Sequence, residues 1–220
     1  MIEPKWYGAS DQWWETNIKD QVYVVDDIIP LEDQEDLKEL LMGDQCDFPW
    51  YYITDVTAFA ADKDNQSRAA FVHTLVRKSD KPGGPSQKYS EYVDNFLDII
   101  QAGCIKVNKP QARIIQGRTF IQLPSGIDRG EPDSPHIDLH LCEGDNHFVI
   151  LYYVCDSDGD TIIYNEQDDI DKGYTMPGTY TIKERVSPKQ GRAVIFDGRY
   201  YHTAEQPKHN TRCVINYNIR

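Results

Sequence analysis

Cysteine is scarce in this chain, and its distribution excludes two familiar designs. The five cysteines, Cys46, Cys104, Cys142, Cys155 and Cys213, are odd in number and widely spaced, and no C-x-x-C occurs. A disulfide framework and a zinc ribbon are therefore both unsupported, and reduced thiols in a cytosolic protein fit better. Basic residues are also few. Lys and Arg number 23 against 36 Asp and Glu, a net charge of −13. A duplex binder carries a basic stripe that neutralises phosphates, and none is visible, so no nucleic-acid partner is expected. No apolar run approaches the ~20 residues that span a bilayer, so no membrane partner is expected either. The start, "MIEPKWYGASDQWW", lacks the charged-then-apolar layout of a secretory signal. These absences together lead to the expectation of a soluble, cytoplasmic protein.

What is present is a chain able to build a core. Of 220 residues, 40% are hydrophobic, with 14 Tyr, 7 Phe and 4 Trp. The length suits one domain with extensions. We divide it into 1–109 (an N-terminal arm, a strand and supporting helices) and 110–220 (the functional core).

The first twenty residues read as an aromatic arm lying on the domain's own surface. "QVYVVDDIIP" (Gln21–Pro30) is β-branched and predicts a strand. "LEDQEDLKELLMG" predicts a helix. Its acids come early, Leu37, Leu40 and Leu41 share a face, and Gly43 marks the stop. "SDKPGGPS" is a loop. "QKYSEYVDNFLDIIQAG" sets Tyr89, Tyr92, Val93, Phe96, Ile99 and Ile100 at helical spacing. After Pro110 the texture changes to short β runs: "ARIIQGRTFIQL", "HIDLHL", "HFVILYYVC", "DTIIYNE", "GTYTIKERV", "GRAVIFD" and "TRCVINYNI". Seven short strands in about a hundred residues predict an antiparallel sandwich or barrel with the earlier helices buttressing one sheet.

Metal-type residues gather in that β half. In "SPHIDLH", His136, Asp138 and His140 alternate, so on a strand they share one face. At ~3.3 Å per residue the outer two stand ~13 Å apart, so one ion takes an adjacent pair and its third ligand comes from elsewhere. Alone, "HID" reads more readily as polar residues on a wet strand. Of the remaining histidines, His73, His147, His202 and His209, the best placed is His202, at the end of a β run and shortly before the last strand. Two His and one carboxylate on one face of a metal make the facial triad of non-haem Fe(II) oxygenases.

From Arg113 to Ile219 the sequence resembles the 2-oxoglutarate- and Fe(II)-dependent dioxygenases, in particular the prolyl-4-hydroxylase-like branch. The pattern is His-x-Asp, a distal His and a basic residue about ten positions later. Here it reads His136-Ile137-Asp138, then His202, then Arg212. "FVILYYVCDSDGDTIIYNE" and "SPKQGRAVIFDGRYYHTAEQP" are similar to the family's intervening segments. The resemblance implies a mainly β chain with flanking helices, its core a double-stranded β-helix, or jelly roll. It implies iron on His136, Asp138 and His202, and 2-oxoglutarate held by Arg212 and Tyr153. Asn216, on the same face of the last strand as Arg212, joins that set. A planar, always-charged guanidinium suits a carboxylate. The implied reaction hydroxylates a C–H bond of a peptide side chain or small molecule, consuming O2 and releasing succinate and CO2, with room for ascorbate as reductant.

Two features depart from the family. "DGDT" (Asp158–Thr161) stands where Gly-Gly-Glu-Thr is usual, and the loop Pro124–Pro135 has no counterpart; it reads equally as a lid or as an exposed connector. Other readings compete. His140 with Glu143 is faintly cupin-like, but Gly191 lies eleven residues before His202, too far for the second cupin motif. "DSDGD" could suggest calcium, but it lacks the EF-hand continuation and reads as a hairpin turn. Cys142 and Cys155 read as buried inert thiols. Two functional alternatives stand beside the dioxygenase: a non-catalytic jelly-roll binding module, and a cupin-type metal enzyme without 2-oxoglutarate.

Overall fold

The computed structural model describes residues 7–45, 47–54, 56, 69–79, 85–109, 111–126, 132–139, 146–168 and 177–220. Its helices are α1 (Tyr7–Asn17), α2 (Leu31–Met42) and α3 (Leu97–Lys106), the last entered through a 3-10 turn, Glu91–Phe96. Its strands are β1 (Val22–Val25), β2 (Tyr51–Ile53), β3 (Ala70–Arg77), β4 (Gln87–Lys88), β5 (Ile114–Gln122), β6 (Phe148–Tyr153), β7 (Thr161–Gln167), β8 (Ile182–Val186), β9 (Ala193–Asp197), β10 (Tyr200–Ala204) and β11 (Arg212–Ile219). They form two sheets. The larger runs β1-β9-β6-β11-β5-β3-β2, with β4 beside β3, and the smaller runs β10-β7-β8. The pairings are antiparallel, as the turn-separated runs predict. No described helix is long and apolar enough to cross a membrane.

Alternation along β11 sorts the large sheet into two faces. Cys213, Ile215, Tyr217 and Ile219 are buried with Phe148, Ile150 and Tyr152 of β6 against the helices, where Leu37, Leu41, Ile99 and Ile100 meet them. Each such side chain contributes ~1.5–3 kcal/mol on burial. The approach is close: a Cβ on Gly103 of α3 would stand 2.6 Å from Ile150 Cδ1. On the opposite face Val149, Leu151, Tyr153, Val194, Phe196 and Val214 pack against Ile163, Val186 and Tyr200 of the small sheet. Two layers of strands with helices behind one of them give the mainly β sandwich expected from the sequence.

Several details differ from expectation. The aromatic arm is not a surface strap. It is helix α1, with Trp14 in the core and Trp13 Nε1 donating to Val107 O and Asn108 O, both at 3.0 Å. The segment from Gln87 is not one helix, because Ser90 Oγ accepts from Tyr92 N at 3.1 Å and starts a separate turn. Strand β3 was unforeseen, and with β1 it carries the first half of the chain into the large sheet, β1 beside β9 and β3 beside β5. "HIDLHL" is not a regular strand over its described part: His136 makes an isolated bridge and Asp138 lies in a bend.

Candidate metal centre

The bridge at His136 brings two distant segments together. His136 N donates to His202 O and His202 N to His136 O, both at 2.9 Å. His202 sits inside β10, a strand the sequence did not reveal, and not at the end of the preceding β run. The two imidazole centroids are 4.7 Å apart. The bend after His136 then turns Asp138 toward both rings. His136 Nε2 lies 4.0 Å from Asp138 Oδ1, and His202 Nε2 lies 3.8 Å from Asp138 Oδ2. One ligand atom from each of the three residues lies within 4.8 Å of the others.

Tautomers follow from the neighbours. His202 Nδ1 meets Tyr200 O at 3.1 Å, and His136 Nδ1 meets Ser134 O at 3.3 Å. A carbonyl only accepts, so each Nδ1 carries a hydrogen and Nε2 is the nitrogen each ring turns toward the shared centre. Desolvation, then the neighbouring His202, pulls the His136 ring down to about 4, although two-fifths of its side chain stays open to solvent. It is neutral, the form that ligates. Burial alone would push Asp138 up. His202, Arg118 and His136 outweigh it, together with the Asn216 hydrogen bond, and hold the carboxyl well below its usual range.

Asp138, only 3% exposed, is held from below. Asn216 Nδ2 donates to its Oδ2 at 2.9 Å, and Asn218 Nδ2 to the same oxygen at 3.2 Å. Arg118 Nη2 approaches Oδ1 at 3.4 Å. Asn216 was expected at the co-substrate; its amide nitrogen touches the carboxylate of the triad, while its Oδ1 has no partner among the described residues. Sequence reading missed Asn218 and Arg118. Part of the signal was there, since Asn218 shares the period-two face of Arg212 and Asn216; Arg118 of β5 pairs with Asn216 of β11, which only the folded sheet reveals.

Arg212 opens β11 and is buried. Nε donates to Gly159 O at 3.0 Å, Nη1 to Gln122 Oε1 at 2.9 Å and Nη2 to Thr161 Oγ1 at 2.9 Å. All three acceptors are neutral, and the guanidinium joins no ion pair among the described residues. Burial lowers its pKa, opposed mainly by Tyr153 and then Asp133. Tyr153 stands beside it, its ring centroid 5.9 Å from the guanidinium carbon. The phenol is fully buried, pushed up to about 12 by desolvation, and its hydroxyl has no hydrogen-bond partner among the described residues.

"DGDT" builds this cradle. Gly159 and Thr161 hold Arg212, and the Asp158 carboxylate accepts from the backbone N–H groups of Lys208, His209 and Asn210 at 3.0–3.2 Å. Asp160 faces Arg185 at 3.4 Å. Asp156 accepts from Gln190 N at 2.8 Å. The Asp156 and Asp158 carboxylates are thus engaged by the backbone, as a connecting turn requires. His73 belongs to the helix side, bonded to Pro49 O and Ser90 Oγ, and His209 is exposed. His140, Cys142, Glu143 and positions 127–131 of the loop before the triad lie outside the described residues.

Comparison with known proteins adds the fold. The sequence matches no family profile and no curated protein. The structure is similar to an oxidoreductase of the 2OG-Fe(II) oxygenase family from Burkholderia pseudomallei (TM-score 0.64, 12% identity, 99% of this chain and 93% of that one). It is also similar to the non-haem α-ketoglutarate-dependent epimerase SnoN of nogalamycin biosynthesis (0.61, 12%, 96% and 82%). A third is the prolyl hydroxylase from Trichoplax adhaerens solved with a hypoxia inducible factor peptide (0.56, 12%, 94% and 86%). The chain has the jelly-roll fold of the 2OG-Fe(II) oxygenases.

Proposed function

We propose that this protein is an Fe(II)- and 2-oxoglutarate-dependent dioxygenase that hydroxylates a C–H bond of a peptide side chain or a small molecule. The observation that carries this reading is Arg212. A buried cation whose partners among the described residues are all neutral is costly unless a ligand supplies the counter-charge. Arg212 faces the same side of β11 as Asn216, which touches the His136–Asp138–His202 cluster. A dicarboxylate with one end on Arg212 and the other at a metal satisfies both sites at once. A cupin-type site without 2-oxoglutarate leaves Arg212 unexplained, and so does a binding module that has lost its metal.

In this reading His136 and His202 ligate through Nε2 and Asp138 through its carboxylate, with Asn216 and Asn218 orienting it. Arg212 holds the far carboxylate of 2-oxoglutarate, and the orphaned Tyr153 hydroxyl donates to it. Asn216 Oδ1 is available to a water or to the co-substrate. Iron and 2-oxoglutarate, when bound, supply the oxidation: O2 and 2-oxoglutarate become succinate and CO2, one oxygen atom entering succinate and the other the substrate C–H bond. The chain's share is to position and to exclude water. The epimerase among the similar structures makes product identity a separate question, read from a mass gain of one oxygen.

The test is an anaerobic titration of metal-free protein with Fe(II) and then 2-oxoglutarate, followed by the visible charge-transfer band of the chelate, with His202→Ala as control. A band in wild type alone supports the reading. Iron binding without a band on adding 2-oxoglutarate removes it.

A further inference from the structure

We propose that Arg118 anchors a carboxylate of the substrate, so that this site takes a carboxylic acid with an apolar body. The inference rests on the dioxygenase reading and adds the substrate class.

Arg118 is a second arginine on the site face, opposite Asn216 of β11 and Thr74 of β3. It differs from Arg212 in every respect that bears on ligands. Its side chain is 29% exposed, and its guanidinium lies over the Phe120 ring, 5.2 Å from the centroid. With its amide oxygen turned to the guanidinium, Gln116 accepts from Nε at 2.6 Å and from Nη2 at 3.2 Å. The opposite amide orientation would set N–H against N–H. Nη1 has no partner among the described residues. The fork is thus fixed at one edge and open at the other, which is how a planar guanidinium is prepared for a carboxylate.

Its one charged neighbour among the described residues, Asp138, is already committed. Asp138 accepts from Asn216 and Asn218 and, in the reading above, spends its charge on the metal. Arg118 is then a cation without a full partner beside the reacting centre. The chain carries a net charge of −13, which repels acids at long range. A local cation at the metal is what an acidic substrate would require.

The surface beyond Arg118 sets the rest of the molecule. Phe120 of β5 pairs with Val72 of β3, and Val72 pairs with Tyr51 of β2. Paired residues of antiparallel strands share a face, so Phe120 and Val72 continue the site face away from the metal, while the Tyr51 ring at the sheet edge turns to His73, 6.0 Å between centroids. Phe120 and Val72 are half-buried. That strip suits an apolar or aromatic body. Arg118 is 3.4 Å from a residue of the triad, so a carboxylate on it brings the carbon one or two bonds away to the centre. The acid is either a free small molecule or an acidic side chain of a peptide.

The experiment uses protein loaded anaerobically with Fe(II) and saturating 2-oxoglutarate, the chelate band confirming that Arg212 is occupied. Calorimetry then compares 3-phenylpropionate with its amide, and a capped pentapeptide centred on Asp with its Asn counterpart. Wild type binds at least one acid about tenfold more tightly than the matching amide, the scale of one charge-assisted contact. The pair that shows the preference identifies the source. Arg118→Gln loses the preference and Arg118→Lys keeps part of it, and in both the 2-oxoglutarate midpoint moves by less than the acid preference does. Equal binding of acid and amide in wild type overturns the inference, as does a preference that survives in Arg118→Gln. A variant whose 2-oxoglutarate midpoint moves as far as its acid binding also overturns it, because Arg118 then serves only Asp138. A wild type without a chelate band overturns the dioxygenase reading itself.

Discussion

His136 and His202 exchange both of their backbone hydrogen bonds, and this bridge sets two imidazoles from segments 66 residues apart side by side. The segment before the triad is also tied, on one side of the bridge, to the end of β10 and to Gln206 just beyond it. Asp133 N donates to Ala204 O at 2.9 Å, Thr203 Oγ1 donates to Asp133 O at 2.6 Å, and Gln206 Nε2 donates to Asp133 Oδ2 at 2.7 Å. The geometry of the His136–Asp138–His202 cluster is therefore a property of β10 as much as of "HID".

Thr203→Val tests that dependence. The substitution keeps shape and removes a buried donor together with its hydrogen bond to Asp133 O. It should cost ~1–2 kcal/mol in denaturant unfolding. Fe(II) affinity should fall with it, since His136 loses a tether, and 2-oxoglutarate affinity at saturating iron should hold. An unchanged Fe(II) isotherm would show that the bridge alone places His136.

Arg212 predicts a separation of stability from binding. Arg212→Met removes a buried cation and three hydrogen bonds to neutral acceptors. Those losses offset the relief of desolvation, so the metal-free protein should change by less than ~1.5 kcal/mol. The 2-oxoglutarate titration of the Fe(II) protein should weaken by about a hundredfold, the scale of a lost charged pair. Arg212→Lys keeps the charge without the fork and should recover only part. A large fall in metal-free stability with intact 2-oxoglutarate binding would make Arg212 a structural residue.

How much of this was legible in the sequence depends on the range of each interaction. His136, Asp138, His202 and Arg212 could be read because order and spacing survive when strands have set lengths. The faces of β11 could be read from alternation, which is why Asn216 was found. Asn218 and Arg118 obey the same alternation, but they gain meaning only when β11 pairs with β5 and the bend delivers Asp138. β10 escaped notice because "YYHTA" is only five residues, although the Asp197-Gly198 turn signal precedes it. The work of "DGDT" was hidden because Asp158's partners are backbone amides some fifty residues away. Trp14 in the core likewise depends on where α1 docks.

Gly159 carries a steric prediction. A Cβ there would meet Glu205 O at 2.7 Å and Arg212 Cδ at 3.1 Å. The first contact is backbone and cannot swing aside, so Gly159→Ala must displace the turn whose carbonyl holds Arg212 Nε. The expected outcome is a loss of ~1–3 kcal/mol in stability. Weaker 2-oxoglutarate binding should accompany it, with near-normal Fe(II) binding. Equal losses at both sites would show that the strain spreads across β7 to β10 and is not confined to the cradle.

His147 gives the metal-free protein a defined pH dependence. The ring is buried just before β6, Gly198 packs so closely that a Cβ would stand 2.1 Å from Nε2, and neither nitrogen has a hydrogen-bond partner among the described residues. Desolvation pulls its pKa down to about 4, Asp138 opposing and His202 and Arg199 adding to the shift. In the unfolded chain the ring titrates near ~6.5. Between these values the unfolded state binds the extra proton, so stability rises with pH across the window and is lost as pH falls through it. The contribution is complete above ~6.5, and by pH 5 about 2 kcal/mol of it should be gone. Urea unfolding of chelator-treated protein at pH 7 and pH 5 measures the loss. His147→Gln, which cannot titrate, should lose correspondingly less. An identical fall in the variant would mean that the ring is already protonated or reached by water in the folded state.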